Sequence, residues 1–241
     1  NIGQKILMMS RELRKYLIRE HKWIALLVKE NGQKSLKINK KKFVYLISPN
    51  KIYRSFYKDL VSLFKIKKIS FFQLRLKKTR RGNKLIIGRK IKKICKKYKV
   101  KFIVNDDPLL AKKLDADGCH LGQKDKSIFL ARKILKNKII GITCHNSIKL
   151  VKKELRSKPD YIALGAFYVT KTKKAKYKAK LGIIKSVKKI SNLPIVAIGG
   201  IKFENYKKVL LNKADFLAIS GYIWNNNKYK PYEAIEKLKW K

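Results

Sequence analysis

Gln73, Arg75 and Lys77 are spaced two apart in the segment Gln73-Leu74-Arg75-Leu76-Lys77. Alternate residues of an extended chain share one face, so an amide and two cations would converge there, a set suited to a phosphate or diphosphate. A solvated basic strand end is the competing reading in so lysine-rich a chain. Asp106 and Asp125 follow two later segments, in Asn105-Asp106-Asp107 and His120-Leu121-Gly122-Gln123-Lys124-Asp125. Only 15 of the 241 residues are acidic, so carboxylates at two such positions stand out. They could share a Mg2+ that also takes diphosphate oxygens, or each could cap a helix. Thr143-Cys144-His145 and Thr170-Lys171-Thr172-Lys173 offer hydroxyls and lysines to a phosphate, or form polar loops. Gly199-Gly200 and Ser220-Gly221 would let backbone N–H groups come close to an anion, and this pair is the strongest of the physical signals. Tight turns alone would also ask for glycine there. His120 and His145 are candidates for acid–base work near neutral pH, against the commoner case of a core or rim histidine bonded to backbone.

These residues need a frame that brings them together. From about residue 42, short β-branched or aromatic runs alternate with lysine-rich segments of helical period. The runs are Phe43–Ser48, Ile69–Leu74, Lys101–Asn105, Gly118–Leu121, Ile139–Thr143, Tyr161–Gly165, Ile195–Ile198 and Phe216–Ile219. Between them, helices are expected over Lys51–Phe64, Lys84–Tyr98, Pro108–Leu114, Ser127–Leu135, Ser147–Leu155, Leu181–Ile190, Phe203–Leu211 and Pro231–Leu238, with Asn146-Ser147 and Asp125 to Ser127 as N-cap signals. The runs are near-continuous in apolar residues, as strands of a helix-covered parallel sheet must be. Eight strand-then-helix units in about 200 residues point to an α/β fold of the (β/α)8 TIM-barrel type. A doubly wound open sheet is the alternative, but the first run, FVYLISPNK, lacks the glycine-rich turn a dinucleotide site needs. The chain divides into an N-terminal extension, residues 1–41, and a catalytic barrel, 42–241. The polar and glycine signals cluster at the ends of the runs and just after them. In a barrel those are the C-terminal rims where active sites are built.

Composition bounds the partners. Lys+Arg is 63 against Asp+Glu 15, a formal charge of +48. Dense cations suit a polyanion, yet the lysines are dispersed from end to end and come with no nucleic-acid-binding aromatic strand or zinc finger. The expectation is therefore small anionic substrates and no specific nucleic acid, with a basic nucleic-acid-binding barrel as an alternative. Cys95, Cys119 and Cys144 have no paired spacing, which fits a reducing compartment and a cytoplasmic protein. Cys119 and Cys144 adjoin His120 and His145, but read as small core residues rather than zinc ligands. No apolar run is long enough to span a membrane, and the first 42 residues do not resemble a secretory signal. Oligomeric state is left open.

The segments QLRLK, VND, DGCHLGQKD, GITCH, TKTK, AIGGI and AIS, in that order, resemble the motif series of the thiamine phosphate synthase family. The likeness runs from about Phe43 to the C-terminus. It implies that Gln73, Arg75 and Lys77 hold a pyrimidine diphosphate, with Asn105 and Thr143 on the pyrimidine, Thr143 standing where the family usually has Ser. It implies Mg2+ on Asp106 and Asp125, a thiazole phosphate on Thr170, Thr172, Gly199, Ile219 and Ser220, and Lys173 on the diphosphate. The implied catalytic groups are Arg75, Lys77 and Lys173, in a dissociative alkyl transfer that needs no nucleophilic side chain. Leu76 departs from the family, which commonly has Glu there. A sister branch resembling thiazole tautomerase is disfavoured by Arg75, Lys77, Thr170 and Thr172, while His145 keeps it open.

Overall fold

The computed structural model describes residues 41–170 and 177–239. Residues 1–40 of the expected extension, and Lys171, Thr172 and Lys173, lie outside the described residues. Eight parallel strands close into a barrel in sequence order: β1 Val44–Ile47, β2 Ile69–Leu74, β3 Lys101–Asn105, β4 Gly118–Leu121, β5 Ile139–His145, β6 Tyr161–Gly165, β7 Ile195–Ile198 and β8 Phe216–Ile219. The ring closes where Leu46 of β1 pairs with Ile219 of β8. The helices are α1 Phe56–Lys65, α2 Arg81–Lys97, α3 Pro108–Lys113, α4 Ile128–Leu135, α5 Ile148–Leu155, α6 Gly182–Ile190, α7 Tyr206–Leu211, α8 Gly221–Trp224 and α9 Pro231–Glu236.

Period-two alternation splits the core into two shells. Tyr45, Ile47, Phe71, Ile103, Tyr161, Ala163, Val196, Phe216 and Ala218 fill the barrel interior. Their neighbours Val44, Leu46, Phe72, Val104, Ile162 and Leu217 face outward and pack under the helices. The helices present matching stripes, such as Phe56, Leu60, Leu63 and Phe64 of α1. Local chemistry sets their starts. Ser127 and Ser147 cap α4 and α5 by accepting from Leu130 N and Leu150 N, and Asp107 caps α3 ahead of Pro108. Asp125 and Asn146 are therefore not the caps: Asp125 turns back to Gly122 N, and Asn146 donates to Lys178 O.

The N-terminal rim is tied by a repeated clasp. Asp117, Asp160 and Asp215 each stand immediately before an even strand. Each accepts from a backbone N–H near the start of the preceding odd strand: Phe102 N at 2.9 Å, Ile140 N at 2.7 Å and Ile195 N at 2.7 Å. A cation of the helix before that odd strand completes each clasp, Lys92 at 3.4 Å, Arg132 at 2.8 Å and Lys188 at 2.6 Å. The clasps hold the strand register below, which leaves the opposite rim free to vary.

Candidate active site

The C-terminal rim gathers the chemistry-bearing residues. β2 ends at Leu74 with Gln73 buried inside the barrel, and Arg75 follows at the rim, its N–H held by Ser48 Oγ at 2.9 Å. Leu74 and Leu76 point the other way, into the layer under the helices. Leu76 therefore lies off the face that Gln73, Arg75 and Lys77 share, and its apolar side chain suits its buried place. Lys77 is exposed and reaches Asp106 at 3.3 Å.

Asp106 adopts a left-handed backbone, φ 65°, after β3, pinned by its N–H on His120 O at 2.8 Å. Aspartate tolerates this conformation better than most residues. Asp125 is brought beside it by β4. Its Oδ2 accepts from Gly122 N at 2.6 Å, and its carboxyl lies within hydrogen-bonding reach of Asp106. Burial raises the Asp125 carboxyl above the ordinary carboxylate range. Asp106 adds to the rise, while the Gly122 N–H and Lys77 oppose it. The two crowded carboxylates are oxygen donors of the kind a hard dication takes, with substrate or water oxygens completing its shell. No group of three or more His, Cys, Asp or Glu side chains among the described residues is arranged to hold a metal ion.

The other half of the rim is built from backbone. Gly199 and Gly200 follow β7 with φ of 102° and 63°. A Cβ on Gly199 would stand 2.3 Å from the Ala166 Cβ, and one on Gly200 2.3 Å from Val169 O, so only glycine lets these segments meet. Ser220 follows β8 directly and stands before α8, its Oγ donating to Ser48 O at 3.2 Å. Barrels commonly place a phosphate at this position, between the loops after strands seven and eight and the start of a short helix. Ile219 packs its side chain into the outer shell, so it can offer an anion only its backbone. Thr170 lies half-buried at the last described position before residue 171.

Sequence reading missed what joins the two halves. Ser48 touches both Arg75 and Ser220. Inside the barrel, Tyr45 and Tyr161 link Gln73 to His120, and His120 to Thr143. A tyrosine at an inward position of an otherwise aliphatic strand was the available signal. His120 bonds to side chains and not to backbone through its ring. Burial lowers its pKa to about 4, with the Arg75 charge helping and Asp106 opposing. Burial thus favours its neutral form, and both ring nitrogens are already engaged by side chains, Tyr161 on one side and Thr143 on the other. His145, φ 52°, stacks on Tyr177 with ring centroids 4.3 Å apart. Asn105 is half-buried at the end of β3, beside His120 in the ladder.

These features define the chain as a (β/α)8 barrel whose C-terminal rim gathers cations, two carboxylates and glycine backbone. The family described as thiamine monophosphate synthase matches residues 44–223. A thiamine-phosphate synthase of Pelagibacter ubique (strain HTCC1062) is 72% identical over 207 residues, 86% of this chain and 100% of the relative. One from Nitrosomonas eutropha (strain DSM 101675 / C91 / Nm57) is 37% identical over 158 residues, 65% of this chain and 74% of the relative. Among solved structures, the thiamine phosphate pyrophosphorylase from Pyrococcus furiosus superposes with a TM-score of 0.73 at 24% identity, covering 83% of this chain and 94% of that one, a likeness of fold. The chain belongs to the thiamine monophosphate synthase family, and its function is that of a transferase making thiamine phosphate.

Proposed function

We propose that residues 42–241 form the catalytic domain that condenses 4-amino-5-hydroxymethyl-2-methylpyrimidine diphosphate with hydroxyethylthiazole phosphate, giving thiamine phosphate and diphosphate. The observation that carries this is the pairing of Arg75, Lys77 and the Asp106–Asp125 carboxylates on one side of the rim with the Gly199–Gly200 and Ser220 backbone on the other. One side suits a leaving diphosphate, the other a spectator phosphate.

In this reading the C–O bond between the pyrimidine methylene and the diphosphate breaks first, leaving a ring-stabilised cation. The thiazole nitrogen then donates its lone pair to that carbon, and no proton need move. Arg75, Lys77 and Lys173 hold the departing diphosphate, with Gln73, Asn105 and Thr143 on the pyrimidine. Thr170, Thr172, Gly199, the Ile219 backbone and Ser220 hold the thiazole phosphate at attacking distance. Asp106 and Asp125 would hold Mg2+, which when bound neutralises charge on the leaving group. The three cysteines are free and buried, which suits work in a reducing cytoplasm. No helix among the described residues is long and apolar enough to cross a membrane.

Mixing both substrates with Mg2+ and measuring thiamine phosphate by fluorescence after oxidation tests the reading. Product that requires Mg2+, and falls sharply in Arg75→Ala, is expected; a folded parent chain giving none would sink it. The partners are small anions, with no specific nucleic acid. In gel shifts, duplex binding should vanish by physiological salt, since a dispersed lysine surface binds only through counterion release.

A further inference from the structure

Five side chains form an unbroken hydrogen-bonded line across the barrel interior. Gln73 Nε2 donates to the Tyr45 hydroxyl at 3.1 Å. The Tyr45 and Tyr161 hydroxyls are 2.8 Å apart, Tyr161 lies 2.8 Å from His120 Nδ1, and His120 Nε2 lies 2.8 Å from Thr143 Oγ1. The three middle members are buried. The Tyr161 ring stacks on the His120 ring, centroids 5.6 Å apart and 14° between planes. Gly141 leaves room for it: a Cβ there would fall 1.9 Å from Tyr161 Cζ.

The line has a direction. An amide nitrogen only donates, a phenol carries one proton, and a neutral imidazole has one donor and one acceptor. Once Tyr45 accepts from Gln73, its own proton must go to Tyr161. Tyr161 then donates to Nδ1, which places the imidazole proton on Nε2, facing Thr143. Thr143 Oγ1 accepts there and keeps its own proton for another partner. Any break in this order sets two donors or two acceptors against each other in a buried place, which such networks do not tolerate.

Resting on the pyrimidine reading above, we propose that Tyr45, Tyr161 and His120 are positioning residues that carry one hydrogen-bond polarity across the barrel. This turns the Gln73 carbonyl oxygen and the Thr143 hydroxyl proton toward the substrate, and so selects a heterocycle presenting an amino donor and a ring-nitrogen acceptor. Gln73 and Thr143 then act as two ends of one device. The Gln73 carbonyl suits an exocyclic amine, and the Thr143 proton suits an unprotonated ring nitrogen. An oxo group in place of the amine would meet the Gln73 oxygen acceptor to acceptor.

Long-range proton–nitrogen spectra of the 15N-labelled full chain test the polarity directly, with the His120 signals identified by their loss in His120→Gln. The proton is expected on Nε2; a proton on Nδ1 overturns the proposal. Tyr161→Phe cuts the line while keeping both ends. It should raise KM for the pyrimidine diphosphate about tenfold, as loss of one buried hydrogen bond does. It should leave KM for the thiazole phosphate within about twofold, and shrink the preference for the amino over the 4-oxo pyrimidine by a similar factor. An unchanged pyrimidine KM and preference in Tyr161→Phe, or an equal rise in both KM values, also overturns the proposal. If the parent itself makes no thiamine phosphate, the synthase reading fails, and the Nε2 proton still decides the polarity.

Discussion

The two rims of the barrel use aspartate in opposite ways. Below, Asp117, Asp160 and Asp215 each meet a backbone N–H and a cation, so every carboxylate is neutralised by the fold itself. Above, Asp106 and Asp125 crowd each other, and among the described residues Asp106 meets the exposed Lys77 and Asp125 the Gly122 N–H. In a chain with 48 more basic than acidic charges, cations to pair them were not scarce. Carboxylates crowded together amid such an excess fit the metal-holding role proposed above, whereas those of the clasps serve the scaffold.

Substitutions at the two rims should separate activity from stability. If Asp125 holds Mg2+ as proposed above, Asp125→Asn should lower kcat/KM by at least about a hundredfold. Urea unfolding should show it no less stable than the parent, because burial already disfavours the Asp125 charge. Between the rims, His120 links stability to pH. Its folded pKa of about 4 lies below the unfolded value of 6.5. The unfolded chain therefore binds the proton more readily, so stability is full above pH 6.5 and declines as pH falls toward 4. The loss is about 3 kcal/mol at one site. Denaturant midpoints across that window should show the decline, and His120→Gln should remove it. At the lower rim, Asp215→Ala should cost about 2 kcal/mol by stranding Ile195 N and half-buried Lys188, with kcat per folded molecule unchanged. Asp115→Ala marks the floor: its pair with Lys138 is largely exposed, and the unfolding midpoint should move by less than about 0.5 kcal/mol.

Much of this was legible before any coordinates. Six of the eight runs match their strands end to end, because strands covered on both faces are continuous in apolar residues and bounded by turns. β5 runs past Thr143 to His145, since its ladder with β6 resumes after a register shift that no pattern announces. α1 begins at Phe56, five residues later than expected, because Asp59 draws the Tyr53 and Ser55 hydroxyls and orders a turn first. α8 was not foreseen: four residues are too few to show a period. In the site, rim residues were legible because charge and glycine after a strand have few structural uses. Tyr45 and Tyr161 were not, because an aromatic inside a strand reads as filling, and only the inward register reveals that their hydroxyls meet.

The clasps also divide the chain into blocks. Each unites a helix with the two strands that follow it: α2 with β3 and β4, α4 with β5 and β6, α6 with β7 and β8. The seams between blocks fall in the loops after β2, β4 and β6, which bear Arg75 and Lys77, then Asp125, then Thr170. A recombination event joining two relatives at any seam would exchange ligand-handling loops while every clasp stayed within one parent. The architecture thus offers crossover points where inheritance of the scaffold and inheritance of specificity come apart.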